Sequence, residues 1–147
     1  MQSKPFVFLL AEDDPDDCYL ISEALSESEV PHKLFIVHDG EELLDYLNNR
    51  DKYTDLDRWP RPELILLDLN MPFKNGISAL EEIKRDPKLK RIPVVALTTS
   101  ESEEDVSRTY ELGVSGFVTK PMTFAALVDA MRSLGSYWEG IVRLPPK

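Results

Sequence analysis

Glu63-Leu64-Ile65-Leu66-Leu67-Asp68-Leu69-Asn70-Met71-Pro72 is the stretch on which the fold turns. Leu64 to Leu67 run without polar alternation, all of them large aliphatics, and stop at a carboxylate with a proline close behind. That pattern predicts a strand buried on both faces. Asp68 then falls at the strand's carboxyl end. In an open α/β sheet the helices cover both faces, and the crevice beyond the strand tips is the polar concavity where ligands bind. A charge placed there is costly unless something pairs with it, so the chain should supply a cation nearby.

Three other apolar runs end in the same manner. Phe6 to Ala11 stops at Glu12-Asp13-Asp14-Pro15-Asp16-Asp17. Asp14 reads as a helix N-cap, Pro15 as the first helical residue, and Asp16 and Asp17 as first-turn acids, so the helix alone explains these. Glu12 and Asp13 fall between strand and cap, where adjacent acids repel each other, and they read as a metal site. Pro93 to Leu97 is a continuous apolar strand that delivers the hydroxyls of Thr98, Thr99 and Ser100. Ser115 to Thr119 is a short strand ending in Lys120-Pro121, and Lys120 is the expected cation.

Between these strands the apolar period switches to that of helices. Cys18, Ile21 and Leu25 form one inward stripe, Leu43, Leu44 and Leu47 a second, and Leu80 and Ile83 a third that ends at Asp86-Pro87. Lys33 to Val37 is a short strand that Asp39-Gly40 breaks. Glu101 to Leu112 is helical in pattern with a thin stripe, Val106 and Tyr110, and Gly113 caps it. Phe124, Leu127, Val128, Met131 and Leu134 define the last amphipathic helix. Residues 48 to 62 lose all periodicity and read as a long surface loop, a length that invites a functional role or marks a tolerated insertion. The resulting β-α alternation, five times over, predicts an α/β fold with a parallel sheet, helices on both faces and right-handed crossovers.

A chain of 147 residues is expected to form one domain, residues 1–147, with a tail at 139–147 and no room for an effector domain. A net charge of −10 argues against nucleic acid or an anionic membrane as the main partner. One cysteine, Cys18, permits no internal disulfide, and no run reaches the roughly 18 apolar residues of a membrane span. A cytoplasmic location is expected, without thiol chemistry.

Strand tips carrying Glu12 with Asp13, Asp68, Thr98 and Lys120 point to phosphoryl chemistry. Three carboxylates that approach one another call for a divalent cation, and oxygen-only ligands favour Mg²⁺. Asp68 can attack phosphorus, Lys120 can neutralise developing charge, and Thr98 can hydrogen-bond an oxygen. No nucleotide cradle of the G-x-x-x-x-G-K-[ST] or G-x-G-x-x-G type is present, so the donor is a small molecule or another protein.

In order and spacing, Glu12-Asp13, Asp68 within Leu-Asp-Leu-Asn-Met-Pro-x-x-x-Gly, Thr98 and Lys120-Pro121 resemble the receiver domains of two-component response regulators. The likeness runs from Phe6 to Leu134. The loop before Arg61, the Leu97-Thr98-Thr99-Ser100 segment and the ending Tyr137 to Pro145 look like the single-domain subgroup that partners bacterial phytochromes. The resemblance implies a flavodoxin-like (βα)5 doubly wound sheet of order 2-1-3-4-5. It also implies phosphoryl transfer from a sensor histidine kinase to Asp68, with a phytochrome the expected sensor.

Asp13 and Asp68 would bind Mg²⁺ directly, with the Asn70 backbone carbonyl as third ligand and Glu12 acting through water. Thr98 and Phe117 match the family's switch pair, Lys120 would pair with the acyl phosphate, and the Lys120-Pro121 bond would be cis. Signalling would pass through the face made by the fourth helix, the fifth strand and the last helix. Thr99 departs from the family's small residue, which would narrow access to the phosphoryl group. Phe117 lacks the hydroxyl that a tyrosine would offer a partner.

Two rivals stand beside this reading, a magnesium-dependent phosphohydrolase and a pseudo-receiver that only binds proteins. The phosphohydrolase pattern of Asp-x-Asp on a first strand is not met, since Asn70 stands two places after Asp68 on the third. His32 and His38 read as structural. Apolar Trp138, Ile141, Val142 and Leu144 in an acidic chain ask for burial, which predicts a homodimer through the last helix and tail.

Overall fold

The computed structural model describes residues 5–69, 76–98, 107, 110–119 and 123–136. Its strands are β1 (Phe6–Ala11), β2 (His32–Val37), β3 (Leu64–Asp68), β4 (Val94–Thr98) and β5 (Gly116–Thr119). The helices are α1 (Pro15–Glu27), α2 (Gly40–Leu47), α3 (Gly76–Arg85) and a last helix (Phe124–Ser136). All strand pairs are parallel, in the order β2-β1-β3-β4-β5, which is the doubly wound topology expected from the sequence.

The unbroken apolar strands have a direct cause in the layers. Leu9, Ile65, Leu67, Val94 and Ala96 face α2 and α3, burying Leu43, Leu47, Leu80 and Ile83. Their neighbours Phe8, Leu10, Leu64, Leu66 and Val95 face the opposite way, onto Cys18, Ile21 and Leu25 of α1 and Met131 of the last helix. With both sheet faces covered, the inner strands β1, β3 and β4 leave no position for a polar residue until they end, while the edge strand β2 admits His32 and Lys33.

Helix starts follow the caps that the sequence shows. Asp14 accepts from the backbone N–H of Asp16 at 2.8 Å and of Asp17 at 3.4 Å, with Pro15 opening α1. Asp39 caps α2 through the Glu42 N–H at 2.8 Å, while the Glu42 carboxylate accepts from the His38 N–H at 2.8 Å. This reciprocal pair resembles a capping box, displaced by one residue. Gly113 adopts φ of 96°, a conformation that glycine reaches without Cβ strain, and ends the short helical piece at Tyr110 and Glu111. Of the 101–112 helix only Ser107 and residues 110–112 are described; its other residues, the 137–147 segment and the Lys120-Pro121 bond lie outside the described residues.

Residues 48–62 form the exposed loop expected of them, but one rooted in the core by aromatic side chains. Tyr53 is buried and Trp59 half-buried, and with Phe35 and Tyr46 they form a four-ring cluster with centroid separations of 5.0 to 6.1 Å. The Tyr46 hydroxyl donates to the Pro60 carbonyl at 2.8 Å, and burial pushes its pKa well above the usual phenol range. Aromatic anchors spaced irregularly along a loop produce packing without producing a period.

Phe124 also departs from its expected inward place. It is the first residue of the last helix and stays 42 % exposed, while Met131 carries the buried contact. Among the described residues, no helix is long and apolar enough to cross a membrane.

Candidate functional site

Strand register builds the site. Ala11 pairs with Leu67, so Glu12 and Asp68 each follow the last registered pair of β1 and β3. Asp68 pairs in turn with Leu97, and Thr98 with Thr119. The carboxyl ends of β1, β3, β4 and β5 therefore lie along one edge of the sheet, as the buried strand at 64–68 predicts.

Glu12, Asp13 and Asp68 each place a carboxylate oxygen within 4.8 Å of the other two. Glu12 is 1 % exposed and Asp68 3 %, whereas Asp13 is exposed and stands at the mouth. Unit charges at such separations repel by roughly 3–4 kcal/mol per pair at an effective dielectric near 20. Backbone donors hold the arrangement in part. The Glu12 carboxylate accepts from its own Asp13 N–H at 3.1 Å and from the Asp14 N–H at 3.4 Å. A divalent cation removes the rest of the repulsion, and an all-oxygen donor set of this kind suits a hard ion. The cluster fits a metal on its geometry and its chemistry.

Glu12 is fixed through its main chain as well. Its N–H donates to Val37 O at 3.0 Å, and its carbonyl accepts from Cys18 Sγ at 3.5 Å and from His38 Nδ1 at 3.2 Å. A carbonyl only accepts, so Nδ1 of His38 carries the hydrogen in this contact. Burial, followed by the negative field of Glu12, pushes the Cys18 thiol up to about 11, which keeps it protonated as a donor. Thus α1 and the end of β2 both grip the residue that opens the site.

Gly76 performs the equivalent service for Asp68. A Cβ at this position would fall on the Asp68 carbonyl oxygen and lie 2.6 Å from Leu69 Cα. Only glycine lets the first turn of α3 sit against the end of β3, and the Gly76 N–H reaches Leu69 O at 3.3 Å. Gly76 closes the Leu-Asp-Leu-Asn-Met-Pro-x-x-x-Gly motif, yet its packing role has no signal in the sequence beyond the letter itself. His38 and Cys18 were likewise invisible as neighbours of Glu12, because contacts across strands leave no local pattern.

Of the other site residues expected from sequence, Thr98 ends β4 and Phe117 lies in β5 opposite Ala96, both known here as backbone positions. Asn70, Thr99 and Lys120 lie outside the described residues.

The response regulator receiver domain family matches residues 8–132. Response regulator Rcp1 of Synechocystis sp. is 44% identical over 141 residues, spanning 96% of this chain and 94% of that protein. The solved structure of the phosphorylated cyanobacterial phytochrome response regulator RcpA superposes with a TM-score of 0.88 at 41% identity, over 97% of this chain and all of that one (100%). The Mn²⁺-bound form of response regulator Rcp1 gives a TM-score of 0.84 at 44% identity, with coverage of 97% and 100%.

Proposed function

This chain belongs to the response regulator receiver domain family, and from that premise we propose that Asp68 takes a phosphoryl group from the phosphohistidine of a sensor histidine kinase. The observation that carries the reading is the approach of Glu12, Asp13 and Asp68 to within 4.8 Å at the strand tips. Family membership also removes the phosphohydrolase rival.

In the proposed transfer an Asp68 carboxylate oxygen attacks phosphorus and an O–P bond forms. The P–N bond breaks, and its electron pair returns to the imidazole of the donor. Mg²⁺, when bound by Asp13, Asp68, the Asn70 carbonyl and Glu12 through water, supplies positive charge beside the transferring oxygens. Asp68 is buried, and Gly76 holds its backbone in register. Lys120 pairs with the acyl phosphate in this reading. The Thr98 hydroxyl turns toward the phosphoryl group, and Phe117 follows inward as the second half of the switch.

The relatives named above include phytochrome response regulators, which supports a phytochrome-linked kinase as donor. Output passes through the face of the 101–112 segment, β5 and the last helix, and a homodimer forms through the last helix and the tail. In this reading residues 1–147 form one receiver domain with a tail at 139–147, acting in the cytoplasm.

Incubation with a phosphorylated phytochrome kinase and Mg²⁺ should move radiolabel onto the wild type. Asp68→Asn should stay unlabelled, and chelation of the metal should suppress transfer. Label on Asp68→Asn equal to wild type would reject Asp68 as acceptor, and a wild type that binds no fluoroberyllate with Mg²⁺ would favour the pseudo-receiver. Sedimentation showing a strict monomer at tens of micromolar, phosphorylated or not, would reject the dimer.

A further inference from the structure

Charge is distributed very unevenly in this acidic chain. The segments 48–62 and 84–91 carry nine of the 17 basic residues against four of the 27 acids, a local charge of +5 in a chain of net −10. Both segments precede strands, β3 and β4, so they lie at the amino end of the sheet, away from Asp68. They are joined in space: Arg61 donates to Lys88 O at 2.6 Å, and beside them an open groove of about 370 Å³ carries no net charge, Arg50 and Arg85 being balanced by Glu82 and Asp86 along its lining.

This end is built to stay in place. Trp59 and Tyr53 root the loop in the aromatic cluster, and their outer faces support cations. Lys52 Nζ lies 5.2 Å from the Tyr53 ring centre, and Arg58 lies 5.3 Å from that of Trp59. Lys88, Lys90 and Arg91 are exposed and form no ion pair among the described residues. Leu56, two residues before Arg58 in the loop, is 58 % exposed. A preordered surface loses little conformational freedom on binding.

We propose that this face is a docking site for an acidic protein segment with an apolar side chain beside its carboxylates. Charge complementarity selects an anionic partner. Asp51, Asp55 and Asp57 alternate with the loop's cations and would repel a uniform polyphosphate, whereas the flexible side chains of a peptide can turn their carboxylates away from them onto the cations between. The remainder of the chain, at −15 once the +5 of this face is set aside from the net −10, repels nucleic acid and anionic bilayers at longer range. The exposed Leu56 supplies the apolar contact. The partner sits at the end opposite Asp68, so it can remain bound while a kinase occupies the phosphoacceptor.

The test uses the full chain carrying Trp138→Phe, so that Trp59 is the emitting tryptophan beside Arg58. The probe is a fluorescein-labelled 12-residue peptide of Glu and Asp around one Leu, followed by anisotropy and by Trp59 emission at low salt. Binding should shift Trp59 emission, weaken at least tenfold in Arg58→Glu/Lys88→Glu/Arg91→Glu, and weaken severalfold in Leu56→Ala or with Leu replaced by Ala in the peptide. Fluoroberyllate should leave it unchanged. If the triple variant fails to fold, Lys88→Gln/Arg91→Gln carries the same comparison with a threefold or larger loss.

Equal binding by wild type and these variants, no binding to the wild type, or a 12-nucleotide DNA or phosphatidylglycerol vesicles binding as tightly as the peptide would each overturn the proposal.

Discussion

Gly76→Ala tests the packing that the Asp68 end of β3 depends on. The new Cβ would lie 2.6 Å from Leu69 Cα and 3.1 Å from the Asp68 carbonyl carbon. Carbon atoms in ordinary contact sit about 3.5–4.0 Å apart, so α3 and the end of β3 must separate by roughly 1 Å. Every obstructing atom is backbone, and β3 is the central strand, so no rotamer change opens the gap. Such overpacking costs about 1–3 kcal/mol, while better helix propensity and a less flexible unfolded chain offset about 0.5–1 kcal/mol. The net loss of roughly 1–2 kcal/mol corresponds to a fall in Tm of roughly 2–8 °C for a domain of this size.

Chemistry should suffer more than stability, since a misplacement near 1 Å costs on the order of a hundredfold in a positioned reaction. Gly135→Ala supplies the control. Its Cβ would meet Val30 Cγ2 at 2.6 Å, an overlap of similar severity between the last helix and a side chain away from the acids. Thermal melts, calorimetric Mg²⁺ titration and the rate of radiolabel transfer read the two variants together. Gly135→Ala should lose stability with metal affinity and labelling within twofold of wild type. A Gly76→Ala protein that melts with the wild type, or that loses stability yet labels and binds Mg²⁺ as well as Gly135→Ala does, refutes the reasoning.

Trp59→Ala removes one ring of the loop cluster and should cost about 2–3 kcal/mol in urea unfolding, with Mg²⁺ affinity unchanged because the loop lies at the other end of the sheet. Alkaline titration should lower stability in stages: Cys18 holds its proton to about 11 when folded against an ordinary 9.0, so the unfolded chain ionises first and stability is full below pH 9 and lost as pH climbs toward 11. Tyr53, pushed up to about 12 by burial, extends the loss from pH 10, and Cys18→Ala should flatten only the earlier stage when urea midpoints are compared. Asp13→Asn removes one of three mutually repelling charges at an exposed position, so without metal it should melt at or above wild type by up to about 1 kcal/mol. Its gain in Tm on adding Mg²⁺ should shrink, as measured by parallel melts.

The parallel sheet and the edge that carries the site were legible because a doubly covered sheet leaves strong marks, whereas the strand order followed from the family resemblance. The strands at 64–68 and 94–98 show no alternation, each ends on a polar residue, and the caps at Asp14 and Asp39 stand where the chain turns into helix. Glu12, Asp13 and Asp68 could be grouped for the same reason, as strand tips of one sheet. What escaped the sequence is contact between segments that have no shared period. The grip of Cys18 and His38 on the Glu12 carbonyl spans a helix start and a neighbouring strand. The aromatic rooting of 48–62 depends on Phe35 in β2 and Tyr46 in α2, which meet Trp59 only after the sheet has formed.

The parallel sheet also separates the chain's two charged ends. Five-residue strands such as β3 span roughly 15 Å from end to end, and the segments at both ends extend the distance. The Debye length at physiological ionic strength is about 8 Å, so the acid cluster and the basic face act on partners independently. In the proposed transfer a phosphoryl group at Asp68 would change the field at the acid cluster and leave that of the 48–62 and 84–91 face nearly untouched. Direct electrostatics therefore cannot carry the phosphorylation signal to the basic face, and any such signal must pass through displaced packing. Since β3 runs between the two ends with every residue buried, the close fit of Gly76 against Leu69 is one place where such displacement would begin.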